Sequence, residues 1–405
     1  HRLPVRIDDR GLAVRNDRGL PVRIDDRGLP VRIDDGGLPV RINDRGLPVR
    51  IDDRGRPARI DDRRLPVRIN DRRLPVRIND RGLPVRINDR GHIARYKNMR
   101  IALIGAGHQG RNHARFLKDL ALVVDHNAEH ASETAKQFQT PFDKDYRNHL
   151  NDFDAAVIAT PTSTHFKIAS ELASAGKHIL IEKPVAASVE EAEQLESIVQ
   201  KAGVVARVGF PERFNPAVKQ ALPNITRPLF IECHRLGVFS PRSLDVDVVL
   251  DLMIHDLDLL YLFLGEEPSS LEAVGIPILS RNIDIANARI KFPGKCVANI
   301  TASRVSGKKM RKMRLFQPYY YLSMDFVEQS VSMFSLQPNA CQGGMPDINR
   351  MEYKPQEVIH PLESEQVEFR DAIVNGSNSG VSIKDAIPSL RMALAVKQSF
   401  ILPPL

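Results

Sequence analysis

The sequence predicts an α/β half on a doubly wound parallel sheet, then an α+β half on a mostly antiparallel, open-faced sheet with helices. Three observations carry this prediction. Short apolar runs alternate with helical stretches from residue 99 to about 217, the pattern of a parallel sheet wrapped by helices. Strand-like segments then follow one another, with a single helix among the first of them. A nine-residue repeat fills residues 1–98 and contains no Phe, Trp or Tyr before Tyr96. The chain is accordingly divided into a repeat (1–98), a dinucleotide-binding domain (99–217) and a substrate and oligomerisation domain (218–405).

The repeat is judged first, because internal periodicity governs how the rest is read. From Leu3 the unit L-P-V-R-I-D-D-R-G recurs with small changes, such as Asn43 for Asp and Gly36 for Arg. Proline in almost every unit removes a ladder donor, and the missing aromatics leave little core to offset chain entropy. The segment therefore reads as a disordered tail or as translated upstream repeat DNA, since an in-frame tandem repeat gives such a period. The first methionine, Met99, stands directly before the first strand. A basic arm for nucleic acid is the alternative. Residues 1–98 hold 25 of the 58 Lys and Arg and 15 of the 50 acidic residues, a net of +10, which leaves 99–405 at −2. Arg is interleaved with Asp and no aromatic platform is present, so no nucleic-acid partner is expected. Cys233, Cys296 and Cys341 are far apart and lack metal-ligand spacing. They read as free thiols of a reducing cytoplasm, with no metal site. No run of about 18 apolar residues is present, so no membrane span is expected.

In the α/β half, R-I-A-L-I at 100–104 is a buried parallel strand. It runs into Gly105-Ala106-Gly107-His108-Gln109-Gly110 and a helical stretch over 111–120. This is G-x-G-x-x-G in the strand–turn–helix setting of a Rossmann dinucleotide site. Gly105 permits the tight turn, Gly107 lets a pyrophosphate approach, and Gly110 allows close helix–strand packing. His108 and Gln109 lie in the same turn, and the helix N-terminus supports the phosphates. The next strand, Leu122-Val123-Val124, ends at Asp125, twenty residues after Gly105. A carboxylate there accepts from the ribose hydroxyls of NAD and repels the 2′-phosphate of NADP, so NAD is the expected cofactor and NADP the less favoured one. A strand over 155–159 leads to Thr160-Pro161-Thr162-Ser163-Thr164-His165 and a helix over 166–175. A strand over 178–181 ends in Glu182-Lys183-Pro184, and a helix over 188–201 and a strand over 204–208 complete the alternation. Ligands bind at the carboxyl ends of such strands, which puts Thr160, Pro161, Thr162, His165, Glu182 and Lys183 beside the cofactor.

These motifs, together with D-L-M-I-H-D-L-D at 251–258, resemble the Gfo/Idh/MocA family of oxidoreductases. The resemblance runs from Met99 to about Lys397. It implies that Lys183 reaches the site of hydride transfer, that Glu182 lies beside the nicotinamide ribose, and that His255 works with the lysine on a substrate hydroxyl. Asp251 and His255 are four apart on a predicted helix, so Asp251 is expected to orient the imidazole. A buried lysine can act as base or proton shuttle. The plain alternatives are a surface ion pair for Lys183 and a satisfied helical histidine for His255. F-P-E-R-F-N-P-A at 210–217 is similar to the branch that oxidises the 3-hydroxyl of UDP-N-acetylglucosamine or its uronate for amino-sugar synthesis in lipid A or O-antigen. Phe210 stands where that branch usually has His.

The α+β half follows from a strand over 229–235, a helix over 246–264, strands over 271–279, 284–292, 296–303, 312–317, 319–326 and 329–334, and a helix over 383–397. Arg213 and Arg242 are candidates for a nucleotide diphosphate, because guanidinium pairs bidentately with phosphate. Asn215 is a candidate reader of sugar hydroxyls. Each is equally readable as a solvated or structural residue. The resemblance implies a homo-oligomer, dimer or tetramer. The expected function is hydride transfer from a sugar ring hydroxyl to NAD. A dehydrogenase of a free sugar or inositol and a non-catalytic NAD-binding regulator are the other readings.

Overall fold

Every residue of Ile101–Ile104 (β1) and Ala155–Ile158 (β4) is buried, as a parallel sheet covered on both faces requires. Side chains such as Ile101, Leu103, Val157 and Ile158 are fully removed from solvent, each worth roughly 1.5–3 kcal/mol. The computed structural model describes residues 99–239, 246–336, 348–378 and 380–400. The repeat at 1–98, Arg242 and Cys341 lie outside the described residues.

Six parallel strands form the first sheet: β1, Leu120–Val124 (β2), Phe142–Asp143 (β3), β4, His178–Glu182 (β5) and Ala206–Gly209 (β6), in the order β3-β2-β1-β4-β5-β6. The order reverses between β1 and β4, and such a switch point opens a crevice at the strands' carboxyl ends. His108–Ala114 (α1), Ala128–Phe138 (α2), Thr162–Ser174 (α3) and Val189–Ala202 (α4) connect the strands. Local chemistry sets their ends. Asn127 accepts from the Glu129 and His130 amides to start α2, and Ser188 accepts from Glu191 to start α4. Gly203, at φ +66°, ends α4. The first helix is shorter than predicted. It stops at Ala114, because residues up to Asp119 are needed to turn the chain into β2, where Ile101 N–H donates to the Asp119 carbonyl. The third begins earlier than predicted, at Thr162, with Pro161 as its cap.

After a short helix at Pro216–Ala221 (α5) comes an eight-stranded sheet. Its members are Phe230–Leu236 (β7), Ser270–Ile276 (β8), Ile285–Lys291 (β9), Val297–Ser303 (β10), Met310–Gln317 (β11), Tyr320–Asp325 (β12), Ser330–Leu336 (β13) and Ile348–Tyr353 (β14). The order is β14-β13-β12-β11-β7-β10-β9-β8, antiparallel throughout except for the β7–β10 pair. One face alternates buried residues, such as Ile231 and Cys233 on β7 and Met313 and Leu315 on β11. The predicted helix over 246–264 is instead a π-helical turn, Val249–Met253, leading into Ile254–Leu264 (α6). The chain then returns to the first sheet. Within Pro361–Asn375 (α7), Gln366 donates to the His113 carbonyl, and Ile383–Gln398 (α8) packs against α4 and α6. The predicted fold class holds; α2, β3, α5, β14 and α7 are additions to it.

Candidate active site

The glycine turn after β1 is built by exclusion. Gly105 has φ +96°, and a Cβ there would stand 2.6 Å from the Ala159 carbonyl oxygen. A Cβ on Gly110 would stand 1.8 Å from the Gly105 carbonyl oxygen, so α1 packs on the turn only with glycine present. Gly107 is the opposite case, with nothing within 4 Å of its Cβ position. That open side is where a dinucleotide phosphate has room to approach the backbone, so the residues fit an NAD cofactor. Asp125, at the end of β2, is buried. Its Oδ2 accepts from Ala106 N–H at 2.7 Å and its Oδ1 from Asn127 N–H at 2.9 Å. It therefore clamps the glycine turn from the end of β2. His108 is exposed beside the turn, with its ring 3.5 Å from the Asn112 amide.

Thr160 lies directly against the turn, since its nitrogen is among the atoms nearest the Gly105 Cβ position, and Pro161 and Thr162 follow as the cap and first residue of α3. His165 departs from expectation. It is 1% exposed, and its ring nitrogens lie 2.8 Å from the Pro184 and Thr160 carbonyls. Burial pulls its pKa down despite both acceptors, so the neutral ring donates to one of them at a time. This histidine ties the loop after β4 to the residue following Lys183; it is a positioning residue with no free edge for cofactor.

Glu182, at the end of β5, is the centre of a buried network. Burial raises its pKa, but His113 Nε2 at 2.8 Å, the Lys183 charge and Gln109 Nε2 at 3.0 Å overcome that and hold it at about 2. The carboxylate is thus a fixed negative charge. His113 in turn meets Gln366 of α7 at 3.0 Å. Sequence reading missed His113. Its signal was spacing: Gln109 and His113 stand four apart on a helix face that should be apolar.

Lys183 follows and is joined to Pro184 by a cis peptide. Its Nζ donates to the Asp251 carbonyl at 2.6 Å and to Asp251 Oδ1 at 3.1 Å. Two distant segments are thereby joined, one at a strand end and one in the π-helical turn, a form of helix irregularity frequent at functional sites. The predicted Asp251–His255 pair does not form, because the lysine takes the carboxylate. His255 instead packs edge-on against Phe210, ring centroids 5.9 Å apart, and its buried Nδ1 has no hydrogen-bond partner. Burial pushes its pKa well below the ordinary value, and the positive charges of Lys183, Arg235 and Arg311 push the same way. The ring is neutral, and it shares a field with the Lys183 ammonium.

Two of the candidate substrate residues have partners within the fold. Both Arg213 donors used, Nε and Nη2, are held at 2.7 Å by Asp258, which is 1% exposed. Asn215 is also 1% exposed. Its amide donates to Glu212 Oε2 and the Phe326 carbonyl, and its oxygen accepts from Ala217 N–H to start α5. Arg213 ties the turn after β6 to α6, and Asn215 ties it to the residue after β12. Arg242, the third, lies outside the described residues. Among the described residues no cluster suits a metal ion, and no helix is long and apolar enough to cross a membrane.

The comparisons with known proteins agree with this geometry. Residues 99–210 match the model of the Gfo/Idh/MocA oxidoreductase family, NAD-binding Rossmann fold, and residues 235–317 match the Gfo/Idh/MocA C-terminal domain. UDP-N-acetylglucosamine 3-dehydrogenase of Acidithiobacillus ferrooxidans is 40% identical over 243 residues, 58% of this chain and 77% of that protein. A solved structure of that enzyme superposes with a TM-score of 0.70 at 35% identity, covering 75% of this chain and 97% of the other. The scyllo-inositol 2-dehydrogenase (NAD(+)) of Bacillus subtilis is 29% identical over 75% of this chain and 94% of its own length. Levoglucosan dehydrogenase in complex with NADH, at 20% identity and TM-score 0.65 over 75% of this chain and 97% of that one, shares the fold.

Proposed function

This chain belongs to the Gfo/Idh/MocA family of NAD-binding oxidoreductases, and from that premise we propose that it oxidises a ring hydroxyl of a nucleotide sugar, the 3-hydroxyl of UDP-N-acetylglucosamine or a close relative. The observation that carries the reading is the 2.6 Å bond from Lys183 Nζ to the Asp251 carbonyl, one helical turn before His255. It brings an ammonium and a neutral imidazole to one place from segments far apart in sequence. The identity to the Acidithiobacillus enzyme favours the UDP-sugar over a free sugar or inositol. Residues 99–217 are the cofactor-binding part in this reading and 218–405 the substrate part.

Gly105, Gly107, Gly110 and Asp125 would hold the dinucleotide, with Thr160 and Glu182 along its path. When bound, NAD supplies the acceptor for the hydride leaving the carbinol carbon. His255, kept neutral by burial and by the cations around it, accepts the hydroxyl proton as general base. The Lys183 ammonium, aimed by Asp251, stabilises the negative charge developing on the substrate oxygen. Glu182 supplies a permanent negative charge beside the lysine and fixes its main chain, accepting from Lys183 N–H at 3.1 Å.

The test is NADH formation by the full chain with UDP-N-acetylglucosamine, N-acetylglucosamine and scyllo-inositol side by side. UDP-N-acetylglucosamine is expected to give the highest kcat/KM. Lys183→Met is expected to lower kcat by about 10²–10⁴-fold with NADH affinity unchanged. Faster oxidation of the free sugar or inositol overturns the substrate. NADH binding with no turnover on any of them makes the chain a regulator.

A further inference from the structure

On the covered face of the eight-stranded sheet, the apolar rows of β7 and β11 end in two arginines. Arg235 and Arg311 lie directly opposite each other in the antiparallel register. Their rows otherwise carry Ile231 and Cys233, and Met313 and Leu315. Like charges facing across a strand pair are destabilising unless something compensates them. Arg235 is fully compensated. Asp256 accepts from its Nε and Nη2 at 2.9 and 2.7 Å, Glu212 accepts from Nη1 at 2.9 Å, and its side chain is 2% exposed.

Arg311 is not compensated. Its closest ion-pair contact is Glu212 Oε1 at 3.6 Å, beyond hydrogen-bond distance, and that oxygen already serves Arg235. Guanidinium carries five N–H donors, and among the described residues those of Arg311 make no hydrogen bond. Its side chain is 38% exposed, so the free donors face open space. Burial and the neighbouring Arg235 charge pull its pKa below the usual guanidinium value, against the opposing pull of Glu212, Asp256 and Asp251. That space adjoins the segment that carries His255, because Arg235, paired opposite Arg311, is held by Asp256, the residue after His255. Arg213 is neutralised by its bidentate pair with Asp258, and the Asn215 amide is spent within the fold.

We propose that Arg311 is the residue of this cleft that binds an oxyanion of the substrate, either the diphosphate of a nucleotide sugar or a carboxylate on the ring. The fork of donors takes two oxygens at once and sets the ring's orientation before His255. The inference rests on the reading of the cleft as the substrate site and supplies the specificity for an anionic ligand that this reading lacks.

Isothermal titration of the full chain saturated with NADH tests it, with UDP, UDP-N-acetylglucosamine, its 3-hydroxy uronate analogue and glucuronate as probes. Arg311→Met is expected to weaken binding at least about tenfold, with Arg311→Lys intermediate, and NADH affinity unchanged. A loss seen with UDP identifies the diphosphate as the oxyanion; a loss confined to the uronate and glucuronate identifies the carboxylate. If Arg311→Met does not fold, Arg311→Gln carries the comparison. Equal affinities in wild type and variant for every probe, or no binding of any probe to wild type, overturn the proposal. If wild type binds glucuronate through Arg311 yet binds none of the three UDP ligands, the nucleotide-sugar reading falls and the inference stands. If wild type and Arg311→Met bind every probe alike and both oxidise UDP-N-acetylglucosamine, the inference falls and the reading stands.

Discussion

Asp125 combines two demands in one side chain. One oxygen holds the Ala106 amide at 2.7 Å and the other the Asn127 amide at 2.9 Å, while the same carboxylate repels a 2′-phosphate placed over it. Asp125→Ser removes the charge and the clamp together. The kcat/KM ratio for NADP over NAD is expected to rise by about 10–100-fold, and the KM for NAD to rise as well. Initial rates with the two cofactors measure both. An unchanged ratio would leave cofactor choice to other residues. At this scale the sequence showed which residue types stand at which strand ends, and Asp125, Glu182 and Lys183 were readable in that way. Partners were not. Arg213 reads in the sequence either as a phosphate-binding candidate or as a structural residue, because Asp258, which holds it, lies 45 positions away. Asp251 was assigned to His255 by helical spacing, whereas its carboxylate answers to Lys183, 68 positions upstream.

The element that joins substrate helix to sheet is anchored by charge. Arg235 of β7 binds Asp256 of α6 and Glu212 of the turn after β6, and it keeps α6, with His255, at a fixed height over the sheet. Taking three charges out of water is costly, and removing only the cation leaves two buried carboxylates facing each other. Arg235→Ala is therefore expected to destabilise the fold by ~3–5 kcal/mol, with Arg235→Met plus Asp256→Asn and Glu212→Gln recovering much of the loss. Equilibrium denaturation of the three proteins measures this, and a loss under about 1 kcal/mol would show the triad to be solvated. Elements with a clear period, such as β1, β4 and β7, were legible in the sequence. Those lacking one were not: β14 is exposed along nearly its whole length, so no alternation marks it. Polar residues in α7, including Glu365, Gln366 and Glu368, are buried, which hides its inner face. The π-helical turn breaks a helix that composition alone makes continuous.

Across the whole molecule, α7 brings a further carboxyl against the cofactor half. Glu365 is 2% exposed, and neither of its oxygens has a well-formed hydrogen bond, the Phe210 amide being the polar group directed at it. Burial, and then the negative charge of Glu182, raise its pKa well above 4.5. The folded protein keeps this proton over a pH range in which the unfolded chain has released it. Stability from this group is therefore intact below about pH 4.5 and declines as pH rises toward the folded value. Glu182 acts in the other direction. With its pKa at about 2, its contribution is full above the ordinary carboxylate range and is lost as pH falls through that range. His165, His178 and His255 stay neutral in the fold below their usual pKa, so stability also falls as pH drops below about 6.5, where the unfolded chain takes up their protons. Acid therefore weakens the fold through several groups, and mild alkali through Glu365. Glu365→Gln removes the alkaline cost without removing volume. Its thermal midpoint is expected to exceed that of wild type at about pH 8 and to approach it at about pH 4.5. Melting curves at the two pH values decide the matter. A shift of the same size at both would mean that Glu365 ionises in the fold as it does in water, and that the C-terminal return onto the first sheet is indifferent to its charge.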